Sequence, residues 1–288
     1  MKDIRCGIIG GTGVDEIEDL TNREEIKVNT PFGSPSSKII AGKLKDIKVA
    51  FLSRHGEGHI LLPSEINYRA NIFALKKLGV ETILSVSAVG SLKEEIEPLN
   101  IVLPDQFFDR TIKRVSTFFG NGIVAHVNFA DPICASLKNI VYNVCMELEI
   151  EAVNGGTYVC IEGPHFSSRA ESNFFRKFSF DVIGMTNLPE AKLAREAEIC
   201  YSTVALVTDY DCWHNEYREV DIEMVFENLI KNSENAKKII RNTILKMPEK
   251  KSCDCSKALE NAIITREDLI TDEIKEKLNP IIGNYLKS

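Results

Sequence analysis

No stretch of this 288-residue chain approaches the roughly 20 consecutive apolar residues that a membrane-spanning helix requires, so a helical membrane protein is not expected. Positive charge is not in excess either. Lys and Arg number 35 against 42 Asp and Glu, a net of −7, which argues against nucleic acid or an anionic membrane as the main partner. An anionic substrate would then need a local nest of donors rather than a global field. The opening MKDIRCGIIGG is too short and too acidic for a secretory signal, so a cytoplasmic protein is expected. Nor is there a CxxC pair. The eight cysteines are mostly scattered singly among apolar residues, as in a reducing compartment. The exception is KKSCDCSKALE, where Cys253 and Cys255 stand one residue apart. Zinc would need two further ligands, and no CxxC or His pair follows to supply them. Two partly exposed thiols and a strained, reducible disulfide both remain open readings.

What is present is an alternation of short β-rich runs (CGIIG, SKIIAGKL, KVAFLS, ETILSVSAVG, NIVLPDQFFD, VNGGTYVCIEGP, DVIGMT, ICYSTVALVTDYD) with helical patterns. LPSEINYRANIFALKKLG carries apolar residues at helical spacing and ends in Gly79, placed as a C′ cap. PICASLKNIVYNVCMELEI, LPEAKLAREAEI and the stretch from Asp221, an N-cap candidate, to Leu245 also read as helices. The expected fold is α/β: a mixed central β-sheet flanked by helices on both faces. The expected division is a main domain over 1–246 and a C-terminal appendage over 247–288 packed on it.

The chemistry-bearing stretches follow strand ends. After CGIIG comes Gly10-Gly11-Thr12-Gly13. A dinucleotide fingerprint would need a third glycine where Glu16 stands, and no Gly-Lys-Ser/Thr ends a P-loop. A Gly-rich turn with one hydroxyl, Thr12, is left, suited to a small anion or to nothing beyond turning the chain. In FLSRHGEGH, His55 and His59 bracket Glu57, but Gly56 and Gly58 break both the order and the helix of a zinc-protease motif. An Arg54–His55 pair at a strand's end suits anion contact. Ser87-Ala88-Val89-Gly90 offers small side chains that let a ligand approach backbone amides. EGPHFSS sets the Phe166 ring beside the Ser167 hydroxyl, a pairing suited to a flat heterocycle. In TDYDCW the strand alternation aims Asp209 and Asp211 the same way, and two close carboxylates hold a proton more tightly.

GIIGGTG, TPFGSPS, SRHGEGH, PSEINYRANI, SAVGSL, EGPHFSSRAES, IGMTNLPEAKLAREAEICY and TDYDCW follow one another in register from Gly7 to about Trp213. This series resembles the purine nucleoside phosphorylase/5′-methylthioadenosine phosphorylase family, nearest its methylthioadenosine members. The CxC tail is similar to that of archaeal or thermophilic members. The resemblance implies a nucleoside phosphorylase fold, trimers or dimers of trimers, and cleavage of a purine N-glycosidic bond by inorganic phosphate with no metal or organic cofactor. It puts phosphate on Thr12, Arg54, His55, Ser87, Ala88 and Thr186, and the sugar on Met185. The purine falls on Phe166, Ser167, Asp209 and Asp211. Asp209 is the expected proton donor and Asp211 its partner. Ile222 stands where enzymes that bind a free 5′-hydroxyl carry a His, with Val225 and Phe226 one turn on; these apolar residues suit a methylthio group, and the nearby His214 keeps adenosine open as a further substrate. His126 aligns with a residue that reaches a neighbouring subunit's sugar pocket. His165 and Asn187 depart from the family pattern. The same fold acting on inosine or guanosine is the alternative, and an NAD-dependent oxidoreductase is a more distant one.

Overall fold

Residues 4–11, 17, 19–214 and 222–286 are described by the computed structural model. The strands are β1 (Cys6–Gly10), β2 (Leu20–Ile26), β3 (Ile39–Leu44), β4 (Ile47–Ser53), β5 (Thr82–Ser91), β6 (Ile101–Leu103), β7 (Gln106–Arg110), β8 (Ala152–Asn154), β9 (Thr157–Ile161), β10 (Val182–Gly184) and β11 (Cys200–Asp209). The helices are α1 (Tyr68–Lys77), α2 (Ala135–Glu147), α3 (Arg169–Lys177), α4 (Asn187–Glu196), α5 (Ile222–Lys246) and α6 (Asp272–Ile282). These eleven strands form one mixed sheet in the order β2-β3-β4-β1-β5-β10-β9-β7, with β11, β6 and β8 branching from β5. One apolar layer joins α1, α4 and α6 to the sheet, and a second joins α2 and α5 to its other face. Helices on both faces match the expectation.

Central strands covered on both faces should be apolar throughout. β1 and β11 are buried at every residue, and β5 at every residue but Ala88. The pairing along β5 explains that exception. β11 runs parallel to it along one edge. On the other edge β1 pairs only with Thr82–Ser85, and β10 takes over, antiparallel, at Gly90 and Ser91. Between them the sheet forks, leaving Val86–Val89 without a strand on that edge among the described residues.

Several boundaries differ from the sequence reading for local reasons. NIVLPDQFFD is two strands, broken at Pro104-Asp105, and VNGGTYVCI is two, broken at Gly155-Gly156, whose φ values are +122° and +106°. Both breaks lie side by side, stitched by Asp105 and Gln106 N–H to the Gly156 carbonyl, so β6 pairs with β8 and β7 with β9. β2 (LTNREEI) is a polar edge strand with five exposed residues, which a hydrophobic pattern cannot reveal. α3 begins with a capping box, Ser168 to Glu171; the SRAE spacing was a readable signal that the sequence analysis missed. α1 has Asn67 as N-cap, and Gly79 follows its C-cap at φ +92°, as expected. Asp221 lies outside the described residues.

The tail beyond 246 changes layers. Cys255 sits in the α2/α5 layer with Cys253 against it, whereas Leu259, Ala262, Ile270, Leu278, Ile281 and Ile282 join the α1/α4/α6 layer.

Candidate active site

The fork in β5 supplies the floor. Arg54 follows β4 and donates its backbone N–H to the Gly10 carbonyl at the end of β1. Its guanidinium is only 2% exposed. It reaches Glu190 through Nε and Nη2 (2.8 and 3.0 Å), Ser85 Oγ (2.7 Å), and the Val86 carbonyl through Nη1 (2.9 Å). Glu190 also accepts from Ser85 and Tyr201 (2.7 and 2.8 Å). Burial works against the Arg54 charge, but the Glu190 carboxylate outweighs it, so the guanidinium is held more firmly protonated than usual. Asn187 belongs to the same cluster, donating to Ser85 Oγ (3.0 Å) and Tyr201 Oη (2.7 Å). The sequence analysis missed Glu190, Ser85 and Tyr201; their types carry no local signal, because only the fold gathers them.

Beside this cluster, Ser87 Oγ lies 3.2 Å from Thr186 Oγ1 and 3.1 Å from Tyr158 Oη. Thr186 is the N-cap of α4, yet its side chain caps nothing. Ser87 and Thr186 are buried, while Ala88, the next residue of β5, is exposed. By the two-residue repeat of a strand, the backbone groups of Ala88 face the same unpaired edge as those of Val86. His55 Nδ1 is 2.9 Å from the Leu61 carbonyl, and its ring stacks on His59 at 4.2 Å. A carbonyl only accepts, so Nδ1 carries the hydrogen. Burial lowers the His55 pKa to about 4, leaving a neutral imidazole whose Nε2 is an acceptor. Thr12 lies outside the described residues.

Arg114, another residue the motif search passed over, ties the neighbouring loops together. It donates to the carbonyls of Met185 and Leu188 (2.6 Å each) and Glu162 (2.7 Å). Gly163 is required where that loop meets Met185. It sits at φ +67°, and a Cβ there would lie 2.6 Å from Met185 Sδ.

The carboxylates sit at the end of β11, where its register against β5 slips between Val207 and Asp209. Asp209 Oδ1 accepts from the Asp211 backbone N–H and Oδ2 from the Thr208 hydroxyl, both at 2.7 Å. Gly90 lets it approach: a Cβ there would stand 2.9 Å from Asp209 Oδ1. Asp211, at φ +53°, differs. Among the described residues its Oδ2 is buried with no hydrogen-bond partner, as are the hydroxyls of Ser167 and Ser172. Burial pushes the Asp211 carboxyl up to about 6, with help from the Asp209 charge. Burial raises Asp209 as well, opposed by its two hydrogen bonds. Trp213 Nε1 donates to the Ser91 carbonyl (2.8 Å), and the Cys212 thiol faces the Ser167 carbonyl (3.2 Å), closing this turn on the loop that carries Phe166 and Ser167. Phe166 on that loop is 49% exposed, a free ring face rather than core.

α5 is clasped to β11 by Asn228 Nδ2 on the Thr208 carbonyl (2.8 Å) and Asn232 Nδ2 on that of Val207 (3.1 Å). Val225, three residues before Asn228, shares that face and is half-buried; Phe226 is exposed. The Ile222 side chain lies outside the description. His214 contacts Glu94 at 3.0 Å. His126 is not drawn in: it is exposed, and its N–H meets the Ala262 carbonyl (2.9 Å).

The Phosphorylase superfamily model matches residues 5–245. The chain belongs to that superfamily. It is 56% identical over 279 residues to an S-methyl-5′-thioadenosine phosphorylase of Koribacter versatilis, covering 97% of this chain and 96% of the relative. It is 53% identical over 281 residues to one of Geobacter sulfurreducens, covering 97% and 98%. A methylthioadenosine phosphorylase structure from an antarctic soil metagenomic library superposes with TM-score 0.93 at 48% identity, covering 98% and 99% of the two chains. The Schistosoma mansoni methylthioadenosine phosphorylase in complex with adenine does so with TM-score 0.86 at 34% identity, covering 93% and 100%. The phosphorylase is thus a pentosyltransferase with the expected α/β fold. The structure holds no disulfide: all eight cysteines, Cys253 and Cys255 among them, are unbridged.

Proposed function

We propose that the chain cleaves 5′-methylthioadenosine with inorganic phosphate, giving adenine and 5-methylthioribose 1-phosphate. One observation carries it: at a single forked edge of β5, hydroxyls and an exposed backbone stretch suited to an oxyanion stand near a buried carboxyl pair suited to a 6-aminopurine. The names of the relatives at 53–56% identity support the same substrate.

In this reading Thr12, Ser87, Ala88 and Thr186 hold phosphate. Arg54, committed to Glu190, contributes charge and the placement of His55, whose neutral Nε2 accepts a phosphate hydroxyl. The bond from the anomeric carbon to N9 breaks as the bond to a phosphate oxygen forms. Positive charge growing on the sugar is met by the phosphate, so positioning and electrostatics supply most of the acceleration. The departing base takes a proton at N7 from the Asp209–Asp211 pair, which titrates as a unit. The sequence analysis gave the proton to Asp209; the partner-free oxygen on Asp211 supports a share for Asp211. Phe166 and Ser167 face the base, Met185 the sugar, and Ile222, Val225 and Phe226 the methylthio group. A free hydroxyl would find no partner among those three. His126 serves the site of a neighbouring copy in a trimer or a dimer of trimers, in the cytoplasm. No metal or organic cofactor takes part in the reaction.

The test is adenine release from methylthioadenosine with and without phosphate, run beside hypoxanthine release from inosine. Strict phosphate dependence and a clear preference for the aminopurine are expected. Equal release without phosphate, or a preference for inosine, overturns the proposal.

A further inference from the structure

One group of nucleophilic side chains stands apart from the site. Cys134 is the N-cap of α2, Cys200 opens β11, and Cys253 and Cys255 flank the start of a 3-10 turn at Asp254–Lys257. All four sulfurs lie within 4.8 Å of one another, and those of Cys200 and Cys253 are 3.3 Å apart. Three of the residues are buried and Cys253 is half-buried. The group is remote from the carboxylates. Cys200 and Asp209 are the two ends of β11, about 30 Å apart at the rise of a strand.

Four thiolates around one cation at about 2.3 Å place their sulfurs about 3.8 Å from each other in a tetrahedron, inside the observed spread. An all-thiolate tetrahedral set selects a thiophilic d10 ion. We propose that Cys134, Cys200, Cys253 and Cys255 bind one structural zinc ion that fastens the C-terminal tail to the phosphorylase domain. Binding replaces four S–H bonds with four Zn–S bonds and releases the protons to water.

The surroundings fit that role. The Cys134 N–H donates to the Tyr201 carbonyl (2.9 Å), fixing the α2 N-terminus beside Cys200. Amides of that first helical turn favour negative charge on the Cys134 sulfur. The Cys200 N–H donates to the Glu81 carbonyl (3.0 Å), and Lys251 Nζ takes that same carbonyl (3.0 Å) and the Glu81 carboxylate (3.2 Å). The tail is therefore registered against the starts of β5 and β11 just before its first cysteine. It is also the point where the tail leaves one apolar layer for the other, between Cys255 and Leu259. Farther on, the Ala262 carbonyl and Ile263 pair with His126 and Ala125. A clip at the crossing shortens the free tail that must find that pairing.

The experiment uses the full chain, expressed in zinc-supplemented medium and purified without added metal, chelator or reductant. Elemental mass spectrometry is expected to find roughly one zinc per chain. Four equivalents of an organomercurial should release it. Cys253→Ser and Cys255→Ser should each carry several-fold less zinc and melt at lower temperature. Cobalt(II) exchanged into the wild type should show the intense visible bands of a tetrahedral tetrathiolate, a readout independent of whether the variants fold. Zinc well below stoichiometry overturns the proposal, whether thiol counting on the denatured chain finds all eight thiols reactive or finds four missing as disulfides. Full zinc retention by both variants overturns it too.

Discussion

Two buried ionic groups, Arg54–Glu190 and Asp209–Asp211, are anchored at the ends of two strands of the same sheet, β4 and β11, and answer burial in opposite ways. Around Arg54 and Glu190, charge meets opposite charge, and Ser85, Tyr201 and the Val86 carbonyl take up further hydrogen bonds. Around Asp209 and Asp211, like charges share a turn, and Asp211 Oδ2 has no partner among the described residues. A saturated group holds the fold and responds little to a ligand. An unsaturated one stores unspent hydrogen-bonding capacity, which a substrate can use.

The sharpest way to break the comparison is on its saturated side. Glu190→Ala should cost about 3–5 kcal/mol of stability by stranding the Arg54 charge, measured by urea unfolding. A loss near zero would mean that the cluster is wet. On the other side, Asp211→Asn should unfold normally but lose about a hundredfold or more in kcat/KM for methylthioadenosine. If Asp209→Asn is crippled while Asp211→Asn is not, the partner-free oxygen is not the working one.

Gly90→Ala tests the approach of the Asp209 carboxyl to β5. With a Cβ expected 2.9 Å from Oδ1, activity should fall about tenfold, mainly in kcat, while the melting temperature moves less than in Glu190→Ala. The smallest effect is a pH dependence. Because the Asp211 carboxyl is raised from 3.8 to about 6, the folded chain binds its proton more tightly than the unfolded chain does. That carboxyl therefore costs stability progressively as pH rises from about 4 to about 6, and by a constant amount above. Asp211→Asn removes the cost, so its stability relative to wild type should climb across that window and then level off. A flat difference would place the pKa of Asp211 at its ordinary value.

Much of this was legible before the structure. Continuous apolar runs marked β1, β5 and β11, alternation marked the α/β class, and small residues or carboxylates at strand ends marked where chemistry would gather. The polar edge strand β2 was not legible, since nothing in LTNREEI is periodic. The breaks at Pro104-Asp105 and Gly155-Gly156 were visible as residues but not as a matched pair, because their pairing is a contact between distant segments.

The sequence by itself determined the central strands, the Gly79 cap and the residue types at the ends of strands, since these depend on neighbours within a few positions. Only the tertiary structure decided which groups would be satisfied. It gave Glu190 to Arg54 across 136 residues, left Asp211 Oδ2 without a partner among the described residues, and brought Cys134 and Cys200 to a CxC pair that alone could not complete a metal site. Hydrogen bonding and coordination act over about 3 Å of space, a range that separation along the chain does not encode.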